Sequence, residues 1–261
     1  MYIIFFICSF AVVIIFILIN ISVPTQPALH IGDTFHELAQ KHISMNNRAI
    51  VENDFKWRRT LRKNTNMIKN EYLAWVSGTK SSVVLHEYSV GDAARTIDNT
   101  KAWKSVILRL FGVDTPFACH FSKTMKLIHR LPVRVLTVMF SILEPGAILT
   151  PHRGVYRGVL RYHLCIKAPT KGNSELKVID ENGKSHVHTW KIGNDVLFDD
   201  NYIHEATNHT NEERIVLFLD IERTLQEDEK KYHQLAMASL FHNTEFISSM
   251  RKIHLNYIKQ I

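Results

Sequence analysis

Between Val133 and Ile221 the chain breaks into short apolar runs, and this rhythm limits its fold more than any other feature. Val133 to Leu143 is a β-rich run, followed by a turn at Glu144-Pro145-Gly146 and a second strand from Val159 to Ala168. Further strands are expected over Glu175–Asp180, His186–Lys191, Val196–Asp199 and Arg214–Ile221, with Gly, Asn and Asp between them. Many short strands at close spacing, punctuated by turn residues, predict a β-sandwich or jelly roll.

The flanks have a different texture. Met1 to Val23 holds no charged residue. A run of about 20 apolar residues is what a helix needs to cross a bilayer, so a single-pass N-terminal transmembrane helix is expected over 1–23. A cleaved signal peptide is the competing reading; the missing basic start, the length of the run and the lack of a small-x-small site before Pro24 count against it. No Lys or Arg precedes the run and Lys41 is the first after it, so the side of the membrane is not written in the sequence. Residues 24–132 read as a linker and a helical region packing on the core. Helical periodicity runs from Phe35 to about Ser77, and further helices are expected over Ala102–Leu110 and Phe121–His129. Residues 133–223 form the β core, and 224–261 return to helical spacing.

The net charge of +7 lies entirely beyond residue 23, a composition suited to anionic lipid head groups. Its Lys and Arg residues are scattered rather than striped, so nucleic acid is not an expected partner. Three cysteines without CxxC spacing offer neither a disulfide framework nor a zinc site. Asn208-His209-Thr210 fits a glycosylation sequon of the kind that arises by chance.

Chemistry enters through the faces of the strands. Side chains alternate along a strand, so Arg161, His163 and Cys165 share one face while Leu160, Tyr162, Leu164 and Ile166 share the other. The apolar face needs a cover of helices, which turns Arg161 and His163 inward. The strand over 214–221 divides in the same way, with Arg214 and Asp220 on the face opposite Ile215, Leu217, Leu219 and Ile221. Two arginines aimed into a barrel need an anion, because an unpaired buried charge costs several kcal/mol. Internal pairs with Asp or Glu would serve equally. Among 15 histidines, His152 follows a Pro-Gly turn and His204 closes Phe198-Asp199-Asp200-Asn201-Tyr202-Ile203-His204. Two neutral imidazoles suit non-haem iron, although taken alone either histidine could be structural.

Five motifs in order change that balance. They are Glu-Pro-Gly-x4-Pro-His at 144–152, Leu-Arg-x-His-Leu at 160–164, Trp190 before Gly193, Phe-Asp-Asp-x3-His-Glu at 198–205, and Arg214 with its apolar strand ending Asp220-Ile221. In them the chain resembles the aspartyl/asparaginyl β-hydroxylase family of Fe(II)/2-oxoglutarate-dependent dioxygenases. The resemblance implies a double-stranded β-helix, Fe(II) as the metal, and 2-oxoglutarate and O2 as co-substrates of a C–H hydroxylation. By position it makes His152 and His204 the iron ligands and sets Arg214 against the distal carboxylate of 2-oxoglutarate. Arg161, His163 and Ser141 then line the co-substrate site.

One position departs from the wider oxygenase pattern. The acidic residue usually found two places after the first histidine is Gly154 here. Animal peptidyl hydroxylases of the family share that glycine, which implies that water completes the iron site; a turn role is expected for Asp199 and Asp200. The resemblance offers two substrates, a membrane-lipid acyl chain of the lipid A type or an Asp/Asn side chain of a protein. The sequence His-Arg-x-x-Tyr-x-Gly-x-Leu-Arg-Tyr-His-Leu at 152–164 and the ending Asp220-Ile221-Glu222-Arg223 are similar to the lipid group, whereas Gly154 departs from it. An inactive membrane scaffold is a third reading, and the intact His152, His204, Arg161 and Arg214 count against it.

Overall fold

The computed structural model describes residues 41–46, 48–78, 103–154, 156–239 and 244–258. The expected membrane helix over 1–23 lies outside them, and among the described residues no helix is long and apolar enough to cross a membrane.

The protein is mainly β, and among the described residues all strands are antiparallel and sorted into two sheets. The larger sheet holds six strands in the order β2-β1-β3-β10-β5-β8. These are β1 (Trp103–Leu110), β2 (Val113–Asp114), β3 (Val135–Leu143), β5 (Val159–Lys167), β8 (Asp195–Phe198) and β10 (Arg214–Glu222). The smaller sheet runs β4-β9-β6-β7, built from β4 (Ile148–His152), β6 (Ser174–Ile179), β7 (Ser185–Thr189) and β9 (Ile203–Asn208).

The register settles which side chains share a face. Residues directly opposite in an antiparallel pair point to the same side of the sheet. Ser141 lies opposite Val216, which lies opposite Cys165; Met139, Phe218 and His163 form the next row, and Asp220 with Arg161 a third. Trp103, Leu143 and Arg214 continue the same face. The other face carries Phe140, Leu217, Leu164 and Tyr162, the apolar set that the sequence placed there.

Helices α1 (Lys56–Lys63), α2 (Thr65–Gly78) and α3 (Ser122–His129) cover that apolar side. In α2 the buried Ile68, Tyr72 and Trp75 recur at the spacing of one helix face. Tyr72 packs on Phe140 at 4.9 Å and Trp57 meets Tyr162 edge-on at 5.2 Å. Phe121 closes the cluster, 5.0 Å from Phe140 and 5.6 Å from Trp75. Aromatic burial on this scale dominates such a core, each ring bringing roughly 150–250 Å² out of water. Two C-terminal helices complete the fold, α4 (Glu227–Ser239) and α5 (Thr244–Ile258).

Three expectations need correcting. Residues 102–110 were expected as a helix, but Trp103–Leu110 is a strand inside the larger sheet. Val106, Ile107 and Leu108 are all buried, because a 3-10 segment (Pro116–Phe121) packs against β1 and hides the face that alternation would leave polar. Of the helical reading from residue 35, residues 35–40 lie outside the described residues, Lys41 and His42 are helical, and the helix resumes only at Lys56. Before it, Ala49 to Val51 runs beside β8, with Val51 N–H donating to Leu197 O at 2.8 Å and Asp199 N–H to Ala49 O at 3.0 Å. The strands β4 and β9 were not foreseen, and they carry the two histidines singled out for metal.

Candidate metal and co-substrate site

The pairing of β4 with β9 brings His152 and His204 opposite each other. Their ring centroids lie 4.2 Å apart with the planes inclined at 56°. A local bond fixes each ring: His152 Nδ1 lies 2.6 Å from Thr150 O and His204 Nδ1 lies 3.0 Å from Tyr202 O. A carbonyl only accepts, so in each case Nδ1 carries the proton and the lone pair sits on Nε2. Carbonyl-anchored imidazoles of this kind are how proteins orient histidine ligands toward a metal.

Among the described residues, no cluster of three or more His, Cys, Asp or Glu side chains is arranged to hold a metal ion. The histidine pair has no third protein ligand at Gly154. Instead the space belongs to Asp200. A Cβ on Gly154 would lie 2.6 Å from Asp200 Oδ1 and closer still to Oδ2 and Cγ. The backbone bond from Gly154 N–H to Asp200 O, 2.7 Å, holds the two residues together. Asp200 is 1% exposed and pairs with Arg161 Nη2 at 2.9 Å. The turn role expected of the acidic pair fits Asp199, whose Oδ1 accepts the Asn201 N–H at 2.9 Å and whose Oδ2 accepts the Asn46 N–H at 2.8 Å.

The two inward arginines differ. Arg161 has internal partners, Asp220 at 2.9 Å through Nε and Asp200 through Nη2, and its guanidinium lies 4.4 Å from the centroid of Phe218. The anion question raised by the sequence is answered for Arg161 within the chain. Arg214 is 2% exposed, and among the described residues no carboxylate pairs with it. Its one hydrogen bond is long, Nη1 to Ser141 O at 3.5 Å, and its Nε has no partner. Burial pushes its pKa down to about 10, the mark of a charge without an opposing one.

His163 lies on the strand beside Arg214, also buried, with neither ring nitrogen hydrogen-bonded. Burial, followed by the charges of Arg214 and Arg161, holds it well below the ordinary imidazole range, so the ring is neutral. Phe198 spaces it from the histidine pair, edge-on to both His163 and His204 at 5.4 Å. Ser141 accepts the Trp103 indole N–H at 2.9 Å and keeps its own hydroxyl proton to give. The strand register thus brings Ser141, His163 and Arg214 to the inner face of one sheet, and His152 with His204 to the other. Asp220, which the sequence placed on the inner face, is the residue that balances Arg161; a polar group not singled out from the sequence is His188, whose inward place follows from the alternation of β7.

Two antiparallel sheets thus carry a carbonyl-anchored histidine pair on one and a buried arginine without a carboxylate partner on the other. The chain belongs to the aspartyl/asparaginyl β-hydroxylase family, whose sequence pattern matches residues 62–224. An ornithine lipid ester-linked acyl 2-hydroxylase of Rhizobium tropici is 36% identical over 169 residues, which are 64% of this chain and 57% of that protein. The human aspartyl/asparaginyl beta-hydroxylase is 24% identical over 168 residues, 62% of this chain and 20% of its own length. The chain therefore spans little more than half of the first relative and a fifth of the second. Among solved structures, a prolyl-4-hydroxylase of Pseudomonas putida aligns over 74% of this chain and 99% of its own at 12% identity, with a TM-score of 0.40.

Proposed function

We propose that this protein is an Fe(II)- and 2-oxoglutarate-dependent hydroxylase on a double-stranded β-helix, acting on the acyl chain of a membrane lipid at the 2-position. The observation that carries the reading is Arg214, buried and without a carboxylate partner, on the wall facing the His152–His204 pair. An unpaired buried guanidinium costs several kcal/mol, and a dicarboxylate ligand removes that cost with paired, charge-assisted hydrogen bonds. His152 and His204 hold the iron through Nε2. Arg214 grips the distal carboxylate, while Ser141 and neutral His163 supply further hydrogen bonds. Arg161 is a positioning residue: it holds Asp200 against Gly154 and is itself fixed by Asp220. Iron bound here would supply the oxidative chemistry, in which O2 gives one oxygen atom to succinate as CO2 leaves and the other to the substrate C–H bond.

The acyl substrate is supported by the Rhizobium relative, whose own reaction is acyl 2-hydroxylation of an ornithine lipid, and by the uncharged run at 1–23 that would hold the domain at a bilayer. A peptide substrate is the second reading. It is favoured by Gly154, which the resemblance shares with animal peptidyl hydroxylases, and by the match to the human enzyme.

The test begins with anaerobic binding of Fe(II) and 2-oxoglutarate to the purified chain, followed by succinate release in air. Binding and slow turnover are expected, and both should be lost in His152→Ala and His204→Ala. No binding by the wild type, or no effect of either substitution, overturns the assignment. Mass spectrometry then separates the substrates, because a gain of one oxygen atom appears either on lipid acyl chains or on Asp/Asn peptides.

A further inference from the structure

Trp190 follows β7 and is 7% exposed, yet its indole N–H has no hydrogen-bond partner. A buried donor left unmade costs about 1–3 kcal/mol, so such a group calls for an explanation. The ring does not stand alone. Arg214 Cζ lies 5.5 Å from its centroid, the His163 ring 6.0 Å away, and the His188 ring meets it edge-on at 4.6 Å.

All three neighbours carry the same defect: Arg214 Nε, both nitrogens of His163 and Nε2 of His188 lack partners. The orphaned atoms thus gather around one indole. Arginine and tryptophan can only donate, and a neutral imidazole donates once. A ligand that satisfies such a wall is rich in acceptors and poor in donors, which describes a carboxylate. Cys165 and Val216, the remaining inward neighbours on β5 and β10, offer it no competing charge.

We propose that Trp190 is a specificity-determining residue for the co-substrate, its N–H donating to the distal carboxylate held by Arg214 and its ring face stacked against the guanidinium. The inference rests on the 2-oxoglutarate reading above. It adds a second donor to the carboxylate and a steric backstop that sets the length of the acid accepted. His188 supports the indole by its edge contact.

The experiment measures binding to the full chain loaded with Mn(II) under anaerobic conditions, by calorimetry and without turnover. Two ligands are compared: 2-oxoglutarate, and 2-oxopentanoate, which has the same five carbons and no distal carboxylate. Trp190→Phe keeps an aromatic ring and removes the N–H. It should weaken 2-oxoglutarate about 10- to 100-fold, the range of one hydrogen bond to a charged group, and leave 2-oxopentanoate unchanged. Trp190→His restores a ring N–H and should recover part of the preference. Equal weakening of both ligands marks a merely structural tryptophan and overturns the inference. So does unchanged binding of both by Trp190→Phe, or a preference that Trp190→His does not recover. A wild type that binds neither ligand overturns the co-substrate reading itself, a result distinguishable from the others because it precedes any substitution.

Discussion

At residue 154 a single missing side chain decides the character of the proposed metal site. The sequence shows a glycine where a ligand carboxylate is usual, and by resemblance its place was left to water. The structure adds a reason from packing: the buried Asp200 carboxylate lies where a Cβ would be, tied to Arg161. Any side chain at 154 must displace it. Gly154→Ala should break that buried pair and destabilise the protein by about 3 kcal/mol, the usual cost of leaving one buried charge without its partner. Thermal unfolding of the metal-free protein measures it. Gly154→Asp, which writes back the missing carboxylate, should be worse than alanine and bind metal more weakly than the wild type. Tighter metal binding by Gly154→Asp, at an unchanged melting temperature, would show that Asp200 can yield its place. None of this was legible beforehand. The relation between 154 and 200 is a contact across the fold, and Asp200 read locally as a turn residue.

Elements repeat the lesson with more of the answer visible in advance. Strands β3, β5, β6, β7, β8 and β10 were legible because branched and aromatic residues mark them and turn residues punctuate them. Strands β4 and β9 escaped notice for specific reasons. Thr150-Pro151-His152 puts a proline inside a strand, tolerated here where the β4–β9 register shifts between Leu149 and His152. His204-Glu205-Ala206-Thr207-Asn208 alternates buried with partly exposed residues, but its inward members are His, Ala and Asn rather than large apolar groups. Asn208 shows what such an inward polar residue does. It is fully buried, and its Nδ2 reaches Leu143 O at 2.9 Å, Glu144 O at 3.0 Å and Glu212 O at 2.8 Å. It thus pins the turn after β3 to the turn after β9. The sequon it belongs to is not available to a glycan in the folded chain, since the same nitrogen would have to carry the sugar. Asn208→Ala should cost about 2–4 kcal/mol, because it strands several buried carbonyls at once. Denaturant unfolding gives the value, and a change within 0.5 kcal/mol would mean that the two turns hold without it.

On the scale of the whole molecule, the loop after His152 is held by a helix far along the chain. After His152 the chain passes Arg153, whose Nη1 donates to Asn201 O, and reaches Tyr156, which is buried. The Tyr156 hydroxyl bonds His233 Nδ1 on α4, and His233 Nε2 lies 3.1 Å from Glu222 Oε2 at the end of β10. The bond to His233 first, then its charge and that of Arg134, hold the Glu222 carboxyl below its ordinary range against the opposing effect of burial. The same helix secures the other end of the chain: Glu229 accepts Ser44 N–H at 2.8 Å, and His42 stacks on Tyr232 at 4.0 Å. Residues 42–44, the loop after His152 and α4, distant in sequence, therefore meet. The sequence did not mark these contacts, because the burial of the residues depends on all three segments arriving together. If the clamp steadies the loop, His233→Ala should strand the Tyr156 hydroxyl and cost about 1–3 kcal/mol. It should also lower affinity for a divalent metal by about 10-fold, as loss of an orienting partner does at metal sites. The double variant Tyr156→Phe, His233→Leu separates the two effects. Replacing both partners by apolar groups of similar shape should return most of the stability. Metal affinity should return with it if packing of α4 on the loop is what matters. Recovered stability with affinity still low would locate the effect in the hydrogen bond, and an unchanged affinity in His233→Ala would show that the loop needs no clamp.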